Sequence, residues 1–409
     1  MKVLVLNCGS SSVKFGIIDT SSNTEIIKGI CERLGSSETI IHWRHDQNNF
    51  SEQLPNASCK KAIKVIVDLL NQFSITLLAV GHRVVHGGEY FANSAIINDL
   101  VIKKITKCIS LSPLHNPSNL EGIHQCKKLL PNIPQVAVFD TAFHQTMPPR
   151  AHIYPIEWDL YIKQGVRRYG FHGTSHRFIA QKAAELINKP IEDLALITAH
   201  LGSGCSATAI LGGISLDTTM GLTPLEGLMM GSRSGDVDPA LCGFLSNKLG
   251  WDIERITKEL NYNSGLIGVS GISDDMRIVL QEAQDGHKRS ELAVEIFCYR
   301  LAKAIASLSV PLNGLDCLVF SGGIGENTPI IRKNVLQLLK LFNFKVNDKR
   351  NTIHGKNSNG IITSDNSTLA MVIPTNEELM IAKDTASILA NYSTAQTSSA
   401  NTAARRVKN

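Results

Sequence analysis

The sequence predicts an α/β protein of two domains. A strand–turn–strand unit built on small residues occurs at 3–18 and again at 194–211, and strand-like apolar runs alternate with amphipathic helices along the 409 residues. That length leaves room for two cores of about 150–200 residues each.

The elements follow in order. Val3 to Leu6 is β-branched and leucine; the chain then turns through Asn7-Cys8-Gly9-Ser10-Ser11-Ser12 and resumes at Val13 to Ile18, which reads as a hairpin. Lys60 to Phe73 sets Ala62, Ile63, Ile66, Leu69 and Leu70 on one helical face. Val136 to Phe139 reads as a buried strand, and Met147-Pro148-Pro149-Arg150 after it is the candidate crossing between domains. Ser175 to Ile187 and Ser290 to Leu308 read as helices. The second hairpin runs from Leu194 to Thr198, through His200-Leu201-Gly202-Ser203-Gly204, to Ala207 to Leu211. Asp238-Pro239 before Ala240-Leu241 predicts a helix capped by Asp with Pro in first position. Cys317 to Phe320 is a short buried strand that enters Ser321-Gly322-Gly323-Ile324-Gly325-Glu326-Asn327, and a helix follows. The expected domains are 1–148 with a returning helix at 375–391, and 149–374 as the nucleotide-binding domain. Residues 392–409, rich in Ser, Thr and Ala, are expected to be a disordered tail.

Composition narrows the function. A net charge of +5, spread along the chain, is too weak to point to a nucleic-acid partner. Nine scattered cysteines, none in C-x-x-C spacing, argue against a disulfide framework and a zinc site, and for a reducing compartment. Met1-Lys2 and four apolar residues are too short for a signal-peptide core, and no apolar run approaches the roughly 20 residues that span a bilayer. A cytoplasmic protein without a membrane partner is expected.

Nucleotide binding needs backbone N–H groups and small side chains at the phosphates. The chain has neither G-x-x-x-x-G-K-[ST] nor G-x-G-x-x-G. It has instead three glycine-rich turns, at 7–12, 200–206 and 321–327, the first two in hairpins and the third between strand and helix. Each alone is equally an ordinary structural turn. Together they suit a cleft between two similar domains, each offering a hairpin to the phosphates, as in the actin-like ATPase fold.

Longer strings are more specific. They are Val5 to Phe15 (VLNCGSSSVKF), Gly81 to Gly88 (GHRVVHGG), Phe139 to His144 (FDTAFH), Tyr169 to His176 (YGFHGTSH), Pro224 to Asp236 (PLEGLMMGSRSGD) and Pro374 to Leu379 (PTNEEL). In this order they closely resemble the acetate kinase family, from residue 1 to about 391. The resemblance implies two ribonuclease-H-like domains of the actin, Hsp70 and sugar-kinase type with a nucleotide cleft between them, usually a homodimer, and reversible in-line transfer of the ATP γ-phosphoryl group to acetate or a close homologue.

The residues agree with that expectation. A carboxylic acid with a pKa of about 4–5 is ionised at neutral pH, so it needs no general base but needs cations to hold it against an incoming phosphate. Arg83 and Arg233, each beside glycines, leave room for bidentate contact. The resemblance puts both at the active site, with His172 donating to the phosphoryl group and Asp140, at the end of a buried strand, orienting metal or substrate. His172 and His176 are four apart, but the H-E-x-x-H pattern of zinc hydrolases is absent. Asn7, Ser12 and Lys14 of the first hairpin, and His200, Gly202, Ser203 and Gly204 of the second, are the phosphate candidates. Where the family usually has Asn, this chain has Ser203, which predicts a weaker phosphate contact there. Asp275-Met276-Arg277 and Gly323, Ile324, Gly325 and Asn327 match the family's ribose and base contacts; read without it, they are a helix start and a tight turn.

Val85, Leu114, Phe171 and Pro224 are expected to line the acyl pocket. A small pocket separates one methylene by only about 1–3 kcal/mol, so propionate or butyrate stays open as the substrate. Thr375-x-x-Glu378 reads as a capping box, which leaves Glu377 for the Mg²⁺ that the family places there, with Asn7 beside it and Mn²⁺ as the alternative ion. A nucleotide-gated module without catalysis is the remaining alternative.

Overall fold

The computed structural model describes residues 1–406, with side chains through Tyr392. The tail expected to be disordered, 392–409, lies outside the described residues except for Tyr392 and the helical backbone of Glu377–Arg406. The chain divides into two compact units, Met1–Ala142 with Asn376–Asn409, and Phe143–Thr375. Pro148 and Pro149 fall just inside the second, at the start of the short helix Pro149–His152.

The first unit holds β1 (Lys2–Cys8), β2 (Ser12–Asp19), β3 (Thr24–Glu32), β4 (Ile40–His45), β5 (Asn48–Gln53), β6 (Ala79–Val84), β7 (Ala95–Ile96) and β8 (Gln135–Phe139), in the order β5-β4-β3-β2-β1-β6-β8-β7. β1 is antiparallel to β2 and parallel to β6, which is parallel to β8. β1 alternates with period two. Leu4, Leu6 and Cys8 pack with Ile63 and Ile66 of helix Cys59–Gln72, while Val3 and Val5 pack with Ile381 and Ala382 of the returning helix. Both faces are covered, so the strand reads as one apolar run.

The second unit holds β9 (Ala195–Leu201), β10 (Cys205–Leu211), β11 (Ile214–Thr218), β12 (Cys317–Ser321) and β13 (Leu369–Val372), ordered β11-β10-β9-β12-β13. β9 is antiparallel to β10 and parallel to β12, and β12 is parallel to β13. Helix Gly173–Ile187 covers this sheet with Ile179, Ala180, Ala183 and Ala184. The segment β3-β2-β1-β6-β8 of the first unit has the same order and the same strand directions. Each unit is thus a hairpin with a third antiparallel strand on one side and two parallel strands on the other.

Two helix starts differ from the sequence expectation. The helix after Asp238-Pro239 spans Leu241–Leu249, and Asp238 accepts the Ala240 N–H in a turn ahead of it. The last helix is capped by Asn376, whose side chain accepts the Leu379 N–H at 2.9 Å, and not by Thr375. Thr375 is held elsewhere: its N–H donates to Glu326 and its hydroxyl lies 2.7 Å from that of Ser175. Asparagine is as good a cap as threonine, and the competing contacts decide between adjacent candidates. Glu378 is therefore no capping-box partner; it lies 3.8 Å from Lys28.

Arg332 is fully buried with no carboxylate partner among the described residues, and burial pulls its pKa down to about 10. It donates to the carbonyls of Gly325, Glu326 and Asn351 and to Asn351 Oδ1, clamping the turn at 322–327 from behind. Arg332→Met keeps the volume and strands these acceptors, so urea unfolding is expected to show a loss of about 3 kcal/mol or more.

Candidate active site

In the first unit the Gly9 N–H donates to the Ser12 carbonyl at 2.8 Å and closes the turn between β1 and β2. Asn7 and Lys14 stand directly opposite across the pair, so both side chains leave the same face. Two buried asparagines on helix Asn116–Leu129 tie this turn to the end of β6. Asn119 donates to the Cys8 carbonyl at 2.8 Å and accepts the Val85 N–H at 3.0 Å. Asn116 accepts the His86 N–H and donates to the His86 carbonyl. The Val85 side chain is buried, and that of Leu114 is 54% exposed.

Arg83, on β6, meets Asp140 at the end of the neighbouring β8. Nε donates to Oδ1 at 3.0 Å and Nη2 to Oδ2 at 2.5 Å. Both Asp140 oxygens are therefore occupied, while Nη1 has no hydrogen-bond partner among the described residues. Burial opposes the Arg83 charge, but the carboxylates of Asp140 and Glu377 outweigh it and raise its pKa above the ordinary arginine value. Burial pushes the Asp140 carboxyl up while Arg83 pulls it back.

Glu377 opens the last helix, and its Oε1 is buried without a hydrogen-bond partner among the described residues. An orphaned carboxylate oxygen within electrostatic reach of Arg83 and Asp140 is a donor suited to a hard cation. Among the described residues no three His, Cys, Asp or Glu side chains are grouped to hold a metal.

In the second unit the turn between β9 and β10 is closed by the Gly202 N–H on the Gly204 carbonyl at 3.0 Å. The Ser203 side chain is exposed, but its carbonyl accepts the Gly231 N–H at 3.2 Å and stitches the Arg233 loop to the turn. That link is backbone, so it does not depend on serine or asparagine at 203. Arg233 donates from Nη1 to the Pro224 carbonyl, and burial lowers its pKa. His172 caps helix Gly173–Ile187 in the left-handed conformation, with φ 55°. A Cβ on Gly204 would lie 3.4 Å from Arg233 Nη1 and 3.5 Å from His172 Nε2, so both groups flank this glycine and any side chain there would crowd them. His200 stacks on His172 with ring centroids 4.3 Å apart, and its Nε2 would lie 3.6 Å from a Cβ on Gly202. His172 and His176 both reach Ser206, whose hydroxyl lies 2.9 Å from His172 Nδ1 and 2.7 Å from His176 Nε2. Phe171 is buried beside this cluster.

The third turn is also built on a required glycine. Gly322 has φ 76°, and a Cβ there would sit 2.7 Å from the Leu201 carbonyl oxygen. Glu326 accepts the Gly322 and Thr375 N–H groups, Gly323 faces open space, and Asn327 donates to the Gly323 carbonyl. Asp275 caps helix Met276–Gln284 and pairs with Arg277, which is 87% exposed, whereas the Met276 side chain is buried.

Sequence reasoning did not single out Asn116, Asn119, Ser206, Glu326 or Arg332. Asn116 and Asn119 left a signal, being three apart and so on one face of a helix.

Two units of the same sheet order, each with a glycine-turned hairpin, define the actin and sugar-kinase class of α/β fold. The acetokinase family model matches residues 2–383, and the chain belongs to that family. It is 50% identical over 392 residues to an acetate kinase of Shewanella sp. (strain ANA-3), covering 95% of this chain and 98% of that one. A propionate kinase of Francisella tularensis subsp. tularensis SCHU S4 superposes with a TM-score of 0.90 at 45% identity, covering 94% of this chain and 99% of that one. The acetate kinase of Porphyromonas gingivalis gives 0.88 at 40% identity, covering 95% and 99%.

Proposed function

We propose that the protein is an ATP-dependent carboxylate kinase that converts acetate to acetyl phosphate. The observation that carries this reading is the Arg83–Asp140 pair. A kinase for an alcohol needs a carboxylate to take the hydroxyl proton. Here both oxygens of Asp140 are hydrogen-bonded to Arg83, and the guanidinium keeps its Nη1 edge for an anion. A substrate that is already ionised needs the second and not the first.

In the reaction an acetate oxygen forms a bond to the γ-phosphorus as the bond to the ADP oxygen breaks, in line and without proton transfer. Arg83 holds the attacking carboxylate, with Asp140 as its positioning residue. Arg233 and the His172 imidazole serve the transferring phosphoryl oxygens. The turns at 7–12 and 202–204 present N–H groups to the phosphates, and the segments at 275–277 and 323–327 serve the nucleoside. Glu377 and Asn7 are the residues for Mg²⁺, which when bound offsets charge on the β- and γ-phosphates. Because an acyl phosphate is itself a strong phosphoryl donor, the same groups serve the reverse direction. The family resemblance and the exposed Trp158, Ile162, Phe244 and Ile253 of the second unit support a homodimer. A cytoplasmic location fits, since no helix among the described residues is long and apolar enough to cross a membrane.

Propionate is the second reading, favoured by the Francisella structure. Hydroxylamine trapping of the acyl phosphate decides between them. Acetate is expected to give the highest kcat/KM, with each added methylene costing about 10-fold or more. A higher value for propionate reverses the assignment; ATP turnover without hydroxamate from any acid removes it.

A further inference from the structure

The His172 ring proton can sit on either nitrogen, and only the Nε2–H form can donate from the side that flanks Gly204. Three buried side chains decide which form is present. Ser206 Oγ lies 2.9 Å from His172 Nδ1 and 2.7 Å from His176 Nε2, and His176 Nδ1 lies 2.8 Å from Thr198 Oγ1. Thr198, His176 and Ser206 are fully buried. Burial, with His144 and His200 nearby, drives the His176 pKa well below the ordinary histidine value, so its ring carries a single proton.

The direction of the chain follows from its far end. Thr198 Oγ1 has no other hydrogen-bond partner among the described residues. If it accepted from His176, its own proton would be buried without an acceptor, so it donates to His176 Nδ1. The His176 proton is then on Nε2 and goes to Ser206. The one Ser206 proton is left for His172 Nδ1, and the His172 proton must be on Nε2. We infer that Thr198, His176 and Ser206 form a one-way hydrogen-bond relay that locks His172 as the Nε2–H tautomer, and that Ser206 and His176 are positioning residues for the hydrogen bond His172 gives the phosphoryl group. The inference rests on the role given to His172 above. Its chemistry needs no ion: a neutral imidazole beside Arg233 donates without adding a second cation.

The test uses the full chain labelled with ¹⁵N-histidine, with the His172 signals assigned through His172→Gln. The wild type is expected to show the Nε2–H pattern at His172. Ser206→Ala is expected to give a mixed tautomer and to lower kcat by about 10- to 100-fold, less than loss of a whole donor. The KM values for ATP and acetate should stay within about threefold, because ground-state binding is not removed. Ser206→Thr keeps the hydroxyl and is expected to recover most of kcat. An Nδ1–H wild type, or Ser206→Ala with unchanged tautomer and kcat, overturns the relay. Should Ser206→Ala fail to fold, Thr198→Val removes the hydroxyl at the far end at nearly constant volume; an unchanged His172 tautomer there also overturns it. Full activity in His172→Gln would instead remove the role of His172, while the wild-type spectrum still decides the relay.

Discussion

Arg83→Ala is expected to lower kcat/KM for acetate by about 10³-fold and to destabilise the fold by about 3–5 kcal/mol. The two losses have different sources. Activity falls because the guanidinium edge that meets the carboxylate is gone. Stability falls because Asp140, 1% exposed, loses the guanidinium beside it and both of its side-chain hydrogen bonds. Burial already pushes this carboxyl up, and without Arg83 the main pull against it is gone. In the variant the folded pKa lies above the unfolded one, so the folded state prefers the protonated form. The stability that Arg83→Ala loses relative to the parent should therefore be smallest below the unfolded aspartate pKa of about 3.9 and grow as pH rises toward the folded value. Adding Asp140→Asn removes the charge, and the double variant should regain most of the stability and none of the activity. Urea unfolding at several pH values and the hydroxamate rate check the two effects separately. A double variant that recovered activity would mean that the pair is structural only.

The parts of the fold that were legible share one property: their signal is local. β1–β2 and β9–β10 could be read because apolar runs flank turns of small residues, and β12 because Cys317 to Phe320 is apolar throughout. β5 carried no such pattern; all six of its residues are exposed at the sheet edge, so nothing in Asn48–Gln53 has to be apolar. The site divides in the same way. Arg83, Asp140, His172 and Arg233 could be chosen from motifs and from the demands of the chemistry. The groups that hold them could not, because their partners are far apart in sequence: Asn119 meets Cys8 across 111 positions and His176 meets Ser206 across 30. A buried serine or asparagine looks the same in sequence whether it fills space or fixes a tautomer. The cap of the last helix failed for the reverse reason. Thr375 and Asn376 offer equivalent local signals, and only contacts with Ser175 and Glu326 remove the threonine from the contest.

That displaced cap bears on the metal. Because Asn376 closes the helix terminus, neither glutamate after it is needed there as a cap, and the two can be compared directly. Glu378 lies near Lys28 in partial exposure, where an ion pair is worth about 0–1 kcal/mol. Glu377 has a buried oxygen with no donor among the described residues, a costly state unless a cation or ordered water meets it. Glu377→Gln is therefore expected to raise the Mg²⁺ concentration for half-maximal activity by about 10- to 100-fold. Its unfolding free energy without metal should change by no more than the about 0.3–1 kcal/mol of one charge at a helix N-terminus. The same exchange at Glu378 should leave the Mg²⁺ dependence within about twofold. Titrating Mg²⁺ against the hydroxamate rate, and following Mn²⁺ binding by its paramagnetic signal in the presence of ADP, separates metal affinity from turnover. If Glu377→Gln binds Mn²⁺ as the parent does, the carboxylate answers to Arg83 alone. The first unit would then hold the acid substrate without holding the metal.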